Sequence, residues 1–296
     1  MEHQPESAQW ALSKMQQRQS VRSFTDQPIP ADLLHEILKA SINSATGGNL
    51  QPYSILVEQA PARKQKLAAL CGDQDFIAQA AVDLVFLLDW HKLAVYSRSN
   101  DAPFECHKSI DHFLIALEDL VCAAQTVESA AWLHGIGSCY VGTVLDAIPE
   151  VAQMYNLPKL TCPMLLLSLG YPKGLTKPRK KLAYEMVVFK GSYPEMNSEQ
   201  VCAAYDEKYK DMRTKLPAEP ARRQAFLNEF ARALRVTYTE EKTQQVLDKA
   251  LAEGSIKEIQ RRFGLHYHTA DMLTPAVLDA MADQGIYPFY SLWGQA

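Results

Sequence analysis

Arg18, Ser20 and Arg22 occupy alternate positions in the run Arg-Gln-Ser-Val-Arg-Ser-Phe at residues 18 to 24. In an extended chain alternate side chains share one side. The run would then offer two guanidiniums flanking a hydroxyl, a fork suited to a phosphate or to an electron-rich ring edge. Further on, Gly47-Gly48-Asn49-Leu50-Gln51-Pro52 reads as a turn with two consecutive glycines, where backbone N–H groups can come close to a flat ligand because no Cβ intervenes. Six cysteines are scattered without a Cys-x-x-Cys pair, which reads as reduced thiols rather than a disulfide framework or zinc site. His107 with His112, and His266 with His268 and Asp271, are conceivable metal pairs, but each lacks the three or four ligands that a zinc site needs. No metal is expected.

These residues need elements to position them. A helix over Ser7 to Gln17 delivers the arginine run, and Asp32 starts a second helix in which Leu33, Leu34, Ile37 and Leu38 recur at helical spacing before the glycine turn. Ser54 to Val57 reads as a short strand, Arg63 to Leu70 as a polar helix, and Val82 to Leu88 as an interior strand, being β-branched and aromatic. Lys108 to His134 carries a broad apolar stripe and predicts a long helix buried against several neighbours. A strand at Ser138 to Val141, a helix from Ala147 and a strand at Met164 to Leu169 follow, and Glu185 to Tyr193 reads as one more extended piece. Such alternation predicts helices packed on a small central sheet. Beyond Pro194 the chain is charged and strand-poor, with helices expected at Glu199 to Arg213, Ala221 to Arg235, Glu240 to Glu253, Ser255 to Phe263 and Pro275 to Asp283. The segment Met272 to Phe289 is apolar enough to pack on the core or on a second subunit.

With 296 residues, 47% of them hydrophobic, the chain can bury a substantial core. Its net charge of −4 is spread as mixed acids and bases, so no basic face argues for nucleic acid and no polybasic segment for a membrane. No apolar run approaches the ~20 residues of a spanning helix. No secretory signal is visible at the N-terminus, so the cytoplasm is the expected compartment.

The pattern Arg-x-Ser-x-Arg-x-Phe, a helix, then a turn ending Asn-x-Gln-Pro resembles the start of the nitroreductase family of FMN-dependent oxidoreductases. Three later segments are similar to that family in the same order: Gly135-Ile-Gly-Ser-Cys-Tyr-Val-Gly142, Leu169-Gly-Tyr-Pro172 and Lys177-Pro-Arg179. Cys71-Gly-Asp-Gln74, Ile77 to Ala81 and Tyr205-Asp-Glu207 look closest to its larger, NADPH-preferring nitro and flavin reductases.

The resemblance implies an α+β, three-layer fold, a small central mainly antiparallel or mixed sheet flanked by helices. It also implies an FMN-binding core over residues 1–195 and a helical extension over 196–296 that packs on the core or across a dimer. Arg18, Gln19 and Ser20 would contact the FMN phosphate, with Lys177 and Arg179 closing from the other side. Arg22 would lie near the ring's N1 and O2, where a permanent cation stabilises the reduced anion. Gln74 would hydrogen-bond the pyrimidine edge, and Asn49 and Gln51 would reach the ribityl chain or a neighbouring subunit's flavin. Tyr140, Val141, Gly142 and Thr143 would bring a backbone N–H of Gly142 or Thr143 toward flavin N5, making Arg22, Gly142 and Thr143 the catalytic set. Thr143 departs from the family pattern, where a second glycine is expected. Gln19 departs from it too, where a basic residue is expected.

The activity implied is ping-pong transfer of hydride from NADPH or NADH through the flavin to a nitroaromatic, quinone or free flavin, in a homodimer with FMN at the interface. Arg222-Arg223 or Lys180-Lys181 would serve a nucleotide 2′-phosphate. The alternatives are a specialised flavoenzyme on the same scaffold, such as a reductive dehalogenase or a dehydrogenase, and a flavin-binding interaction protein without turnover. Cys139 is expected to pack rather than react.

Overall fold

The structure, a computed structural model, describes residues 5–175, 177–266 and 275–288. The chain divides into two compact units, residues 1–178 with 275–296, and residues 179–274. The first unit contains, in order, α1 (Pro5–Gln16), α2 (Ala31–Ile42), β1 (Tyr53–Glu58), α3 (Pro61–Leu70), α4 (Asp75–Gln79), β2 (Val82–Asp89), α5 (His91–Ser99), α6 (Ile110–Leu133), β3 (Gly137–Val141), α7 (Ile148–Met154) and β4 (Thr161–Gly170).

Strand β2 is buried at every position, as its continuous Val, Leu and Phe run requires of a strand covered on both faces. It pairs antiparallel with β1 on one side and β4 on the other, and β3 closes the far edge, giving the order β1-β2-β4-β3. Alternation along β2 then separates two cores. Val82, Leu84, Phe86 and Leu88 pack with the apolar sides of α2 and α6, while Val85 and Leu87 pack with Leu67 of α3, Ile77 of α4 and Val151 of α7. Each fully buried Leu or Ile contributes roughly 1.5–3 kcal/mol. The fold is therefore α+β in three layers, with the sheet between two helical layers.

Helix α6 spans about 36 Å at 1.5 Å per residue. The Ser109 side chain caps its N-terminus by accepting from the His112 N–H.

The second unit contains α8 (Ser198–Tyr209), β5 (Arg213–Lys215), α9 (Pro220–Leu234), α10 (Glu240–Glu253), β6 (Ser255–Lys257) and α11 (Glu258–Arg261). Phe230, Leu234, Ala250 and Ile256 form its own small core. The last helix, α12 (Pro275–Asp283), belongs to the first unit, and its Ala280 and Met281, with Ile286 just beyond it, join the core on the α6 side of the sheet. The described residues of the apolar C-terminal segment thus pack on the core of their own chain. Met272, Leu273, Thr274 and Phe289 lie outside the described residues, as do His268 and Asp271 of the conceivable metal pair.

Two expectations fail. The segment Glu185 to Tyr193 is not a strand: a 3-10 turn at Tyr184–Met186 is followed by irregular chain, because its β-prone residues find no ladder to join. Arg213 and Ser255 to Lys257, read as helical, form a two-stranded antiparallel ladder with Ile256 as its buried residue. Three-residue strands of mostly polar residues show no apolar alternation to betray them.

The sheet layer also buries a charge cluster. Asp83 on β2 pairs in register with Glu58 on β1 and accepts a hydrogen bond from Ser168 Oγ at 2.5 Å. Its second oxygen, Oδ2, is buried with no hydrogen-bond partner. Burial pushes the Asp83 carboxyl up to about 7, against the opposing pull of Ser168 and Lys64. Because the folded pKa is raised above that of the unfolded chain, the stabilisation from this group is full below about pH 4 and is lost as pH rises through about 7. Asp83→Asn should cancel that loss. In urea titrations from pH 4 to 7.5 the variant should gain on the wild type with rising pH, by up to about 1.4 kcal/mol per pH unit. Parallel curves would mean that Asp83 is ionised throughout.

Candidate active site

The arginine run leaves α1 and lies as a strap against the far edge of the sheet. The Val21 N–H donates to the Ser138 carbonyl at 2.8 Å, Ser20 bridges Ser138, Phe24 bridges Pro172, and the Thr25 N–H donates to the Tyr171 carbonyl at 2.8 Å. Val21 and Phe24 are buried, while Ser20 and Arg22 are exposed.

Two glycines of the segments singled out above exist for this docking. A Cβ on Gly137 would sit 2.6 Å from Val21 Cγ2, and one on Gly170 would sit 2.8 Å from Phe24 Cδ1. Gly142 differs: a Cβ there would meet nothing within 4 Å, so the backbone at the end of β3 faces open space.

Arg18 departs from the simple alternation. Its N–H still donates to the Met15 carbonyl in the last turn of α1, and its Nη1 pairs with Glu128 Oε1 of α6 at 2.5 Å. Arg22 is set differently, with its guanidinium over the Phe76 ring at 5.8 Å and no carboxylate paired to it among the described residues. Both arginines act electrostatically on Cys139, whose thiol is nonetheless pushed up by burial. That is a packing thiol, as expected, and not a thiolate nucleophile.

On the sheet's α3 side, Gln74 Nε2 donates to the Cys71 carbonyl at 2.7 Å and to Thr143 Oγ1 at 3.0 Å. The Thr143 hydroxyl itself donates to the Cys71 carbonyl at 2.8 Å. The structure thus brings Gln74 and Thr143 together, and the threonine that replaces an expected glycine has a local role. Tyr140 is half-buried on β3, its hydroxyl pushed up by burial, and Val141 is buried beside it.

The glycine turn is pinned by a residue that the sequence reading did not single out. Asp119 of α6 accepts from the Gly47 N–H at 2.9 Å and from Thr46 Oγ1 at 2.8 Å. A Cβ on Gly47 would meet Ile115 Cγ2 at 2.6 Å, so the turn can approach α6 only as glycine. Gly48, Asn49 and Gln51 have φ of 58°, 57° and 50°. Asn49 is exposed, but Gln51 turns its amide back to the Ile42 carbonyl at 2.9 Å.

Lys177 is exposed on the first unit and Arg179 on the second. Of the proposed nucleotide-phosphate cations, Arg222 pairs with Glu219, Lys180 with Glu207, and Arg223 donates to the carbonyls of Pro217 and Ala218. A cleft of about 850 Å³ lies wholly within the second unit, lined by residues such as Tyr205, Tyr209, Lys257 and Phe263, and no sequence-predicted site residue lines it. Among the described residues no three His, Cys, Asp or Glu side chains gather as metal ligands, and no helix is long and apolar enough to cross a membrane.

Residues 15–171, which contain the strap, the glycine turn and β1 to β4, match the model of the nitroreductase family. The chain belongs to the nitroreductase family. It is 27% identical over 175 residues to an FMN reductase (NADPH) of Bacillus subtilis, covering 59% of this chain and 70% of that protein. It is 29% identical over 188 residues to an oxygen-insensitive NADPH nitroreductase of Salmonella typhimurium, covering 64% and 76%. Among solved structures, nitroreductase A of Vibrio parahaemolyticus superposes with a TM-score of 0.63 at 26% identity, covering 68% of this chain and 84% of that one. The hypothetical oxidoreductase YcnD of Bacillus subtilis shares the fold at a TM-score of 0.70 and 21% identity, over 93% and 97%.

In this family member the strap docks only because Gly170 leaves room for Phe24. Gly170→Ala should therefore destabilise the protein by about 1–3 kcal/mol, since Phe24 is buried and has nowhere to move. Gly174→Ala, where a Cβ meets open space, should stay within about 0.5 kcal/mol of wild type. Urea denaturation of the two variants checks this directly, and equal stabilities would mean that the strap is not clamped as described.

Proposed function

We propose that this protein is an FMN-dependent NAD(P)H oxidoreductase that reduces electron-poor acceptors such as nitroaromatics, quinones and flavins. The observation that carries the reading is the Arg22 guanidinium, which pairs with no carboxylate among the described residues and lies along the same edge strand, β3, that leads to the open backbone at Gly142. The donor set suits the cofactor. Arg18, Ser20 and Lys177 would hold its phosphate, with Gln19 beside them. Arg22 and Gln74 would hold the polar edge of its ring, Asn49 and Gln51 the chain between, and the Tyr140 to Thr143 backbone the ring itself. The family's FMN reductases and nitroreductases support the same reading.

FMN held by these residues would supply the redox chemistry between a reduced nicotinamide nucleotide and the acceptor. The protein's part is positioning and charge. Arg22 cannot lose its proton, so it offers a fixed positive charge where negative charge builds up on reduction. Gln74 keeps its amide aimed because the Cys71 carbonyl and Thr143 hold it. The Gly142 backbone can be approached closely because no side chain stands in front of it.

We also propose a homodimer. Helix α6 exposes Leu114, Ile115 and Val121, and α2 and the glycine turn expose Ile42 and Leu50, an apolar set that suits a second copy.

Anaerobic stopped-flow mixing of the FMN-loaded protein with NADPH and then NADH tests the activity. Fast bleaching of the flavin, reversed on adding a quinone, is expected. Arg22→Ala should weaken FMN binding about 10- to 100-fold, the range expected for a hydrogen bond to a charged group, and should slow bleaching. Tight flavin binding with no bleaching by either nucleotide would overturn the reading and favour a flavin-binding protein. Light scattering should give twice the 33.2 kDa chain mass, and a monomer with flavin bound would refute the dimer.

A further inference from the structure

Glu128 is 1% exposed, on a helix whose neighbouring buried residues Ala124, Val127, Ala131 and Trp132 are apolar. A carboxylate buried in such a place is costly unless it is paired and its oxygens are satisfied. Here three donors reach it. Arg18 Nη1 donates to Oε1 at 2.5 Å, Ser138 Oγ donates to the same oxygen at 3.1 Å, and Gln125 Nε2 donates to Oε2 at 2.7 Å.

Two of the three donors belong to the strap junction. Arg18 is where the strap leaves α1, and Ser138 is the β3 residue that bridges Ser20 and accepts from the Val21 N–H. One buried carboxylate therefore fixes both the guanidinium and the strand residue that carries the exposed Ser20 hydroxyl.

A guanidinium presents five N–H donors in a rigid fork, and only Nη1 is spent on Glu128. With 29% of its side chain exposed, Arg18 keeps an open edge. We propose that Glu128 is a positioning residue that aims this open edge of Arg18 at the flavin phosphate beside Ser20, and so gives the site its preference for FMN over a flavin without phosphate. The inference rests on the reading of Arg18 and Ser20 as the phosphate end of the site. Its electrostatic logic is directional. The Arg18–Glu128 pair is neutral overall, so the phosphate is recognised by aimed N–H donors rather than by net charge, and the aim depends on the buried partner.

The test is paired titration of the apoprotein with FMN and with riboflavin, followed by quenching of flavin fluorescence. Glu128→Gln should raise the FMN Kd about tenfold, as expected for loss of one charge-assisted contact, and change the riboflavin Kd less than twofold. Arg18→Lys keeps the charge and can still pair with Glu128, but a point-charge ammonium cannot serve both partners. It should lose the FMN preference to the same extent, and it provides the second arm if Glu128→Gln fails to fold. The double variant Arg18→Ala/Glu128→Gln should bind FMN no more weakly than Arg18→Ala alone.

A fall in FMN and riboflavin affinity by the same factor in Glu128→Gln would reduce Glu128 to a structural role and overturn the proposal, as would an unchanged preference in Arg18→Lys. If Arg18→Ala itself leaves the ratio of FMN to riboflavin affinity unaltered, the phosphate end has been misplaced, a failure of the site reading rather than of the Glu128 coupling alone.

Discussion

The site depends on how the strap at residues 18–25 is clamped to the end of the sheet. Its backbone hydrogen bonds run to Ser138 at one end and Tyr171 at the other. Its apolar residues Val21 and Phe24 drop into gaps left by Gly137 and Gly170. With Val21 and Phe24 facing in, Ser20 and Arg22 face out beside the start of β3, the strand whose other end leads to the open backbone at Gly142. The glycines near the site thus do two different jobs. Gly137 and Gly170 make room for protein, and Gly142 faces open space.

Helix α6 ties this clamp to the rest of the site through two buried acids. Asp119 holds the Thr46–Gly47 end of the glycine turn, and Glu128 holds Arg18 and Ser138. Nine residues separate them, two and a half turns at 3.6 residues per turn, so the two carboxylates leave the helix on opposite sides. A rigid rod anchored in the main core therefore sets the positions of both the turn and the strap. Each acid replaces apolar packing on a buried helix, which is weak evidence for stability and better explained by a need for fixed geometry.

Much of this was legible in the sequence, for identifiable reasons. Strand β2 and helix α6 announce themselves through long apolar patterns, and the strap and glycine segments through unusual residue types at fixed spacing. The pairing of Gln74 with Thr143 was half visible, since both were singled out but not their shared contact with the Cys71 carbonyl. Asp119 and Glu128 were missed, because a single acid on a helix looks like a solvated charge until its neighbours on the same face are seen to be buried. Acids inside the broad apolar stretch of α6 were the available signal. The alternation places Arg18 on one side with Ser20 and Arg22 on the premise of an extended chain, but Arg18 lies just past α1 with its N–H still on the Met15 carbonyl, before the extended pairing begins at Ser20. The β5–β6 ladder left almost no trace, since only Ile256 of its six residues is a buried apolar side chain.

The proposed flavin site is formed by the strap, the end of β3 and the Gln74 turn together. Amide hydrogen exchange read by mass spectrometry, with and without saturating FMN, reports on all three segments in one experiment. FMN should slow exchange in the peptides covering residues 19–25, 72–76 and 140–143, and should leave those covering α9 and α10 at their own rates. Binding of FMN, confirmed by fluorescence, with no added protection in any of those three segments would contradict it.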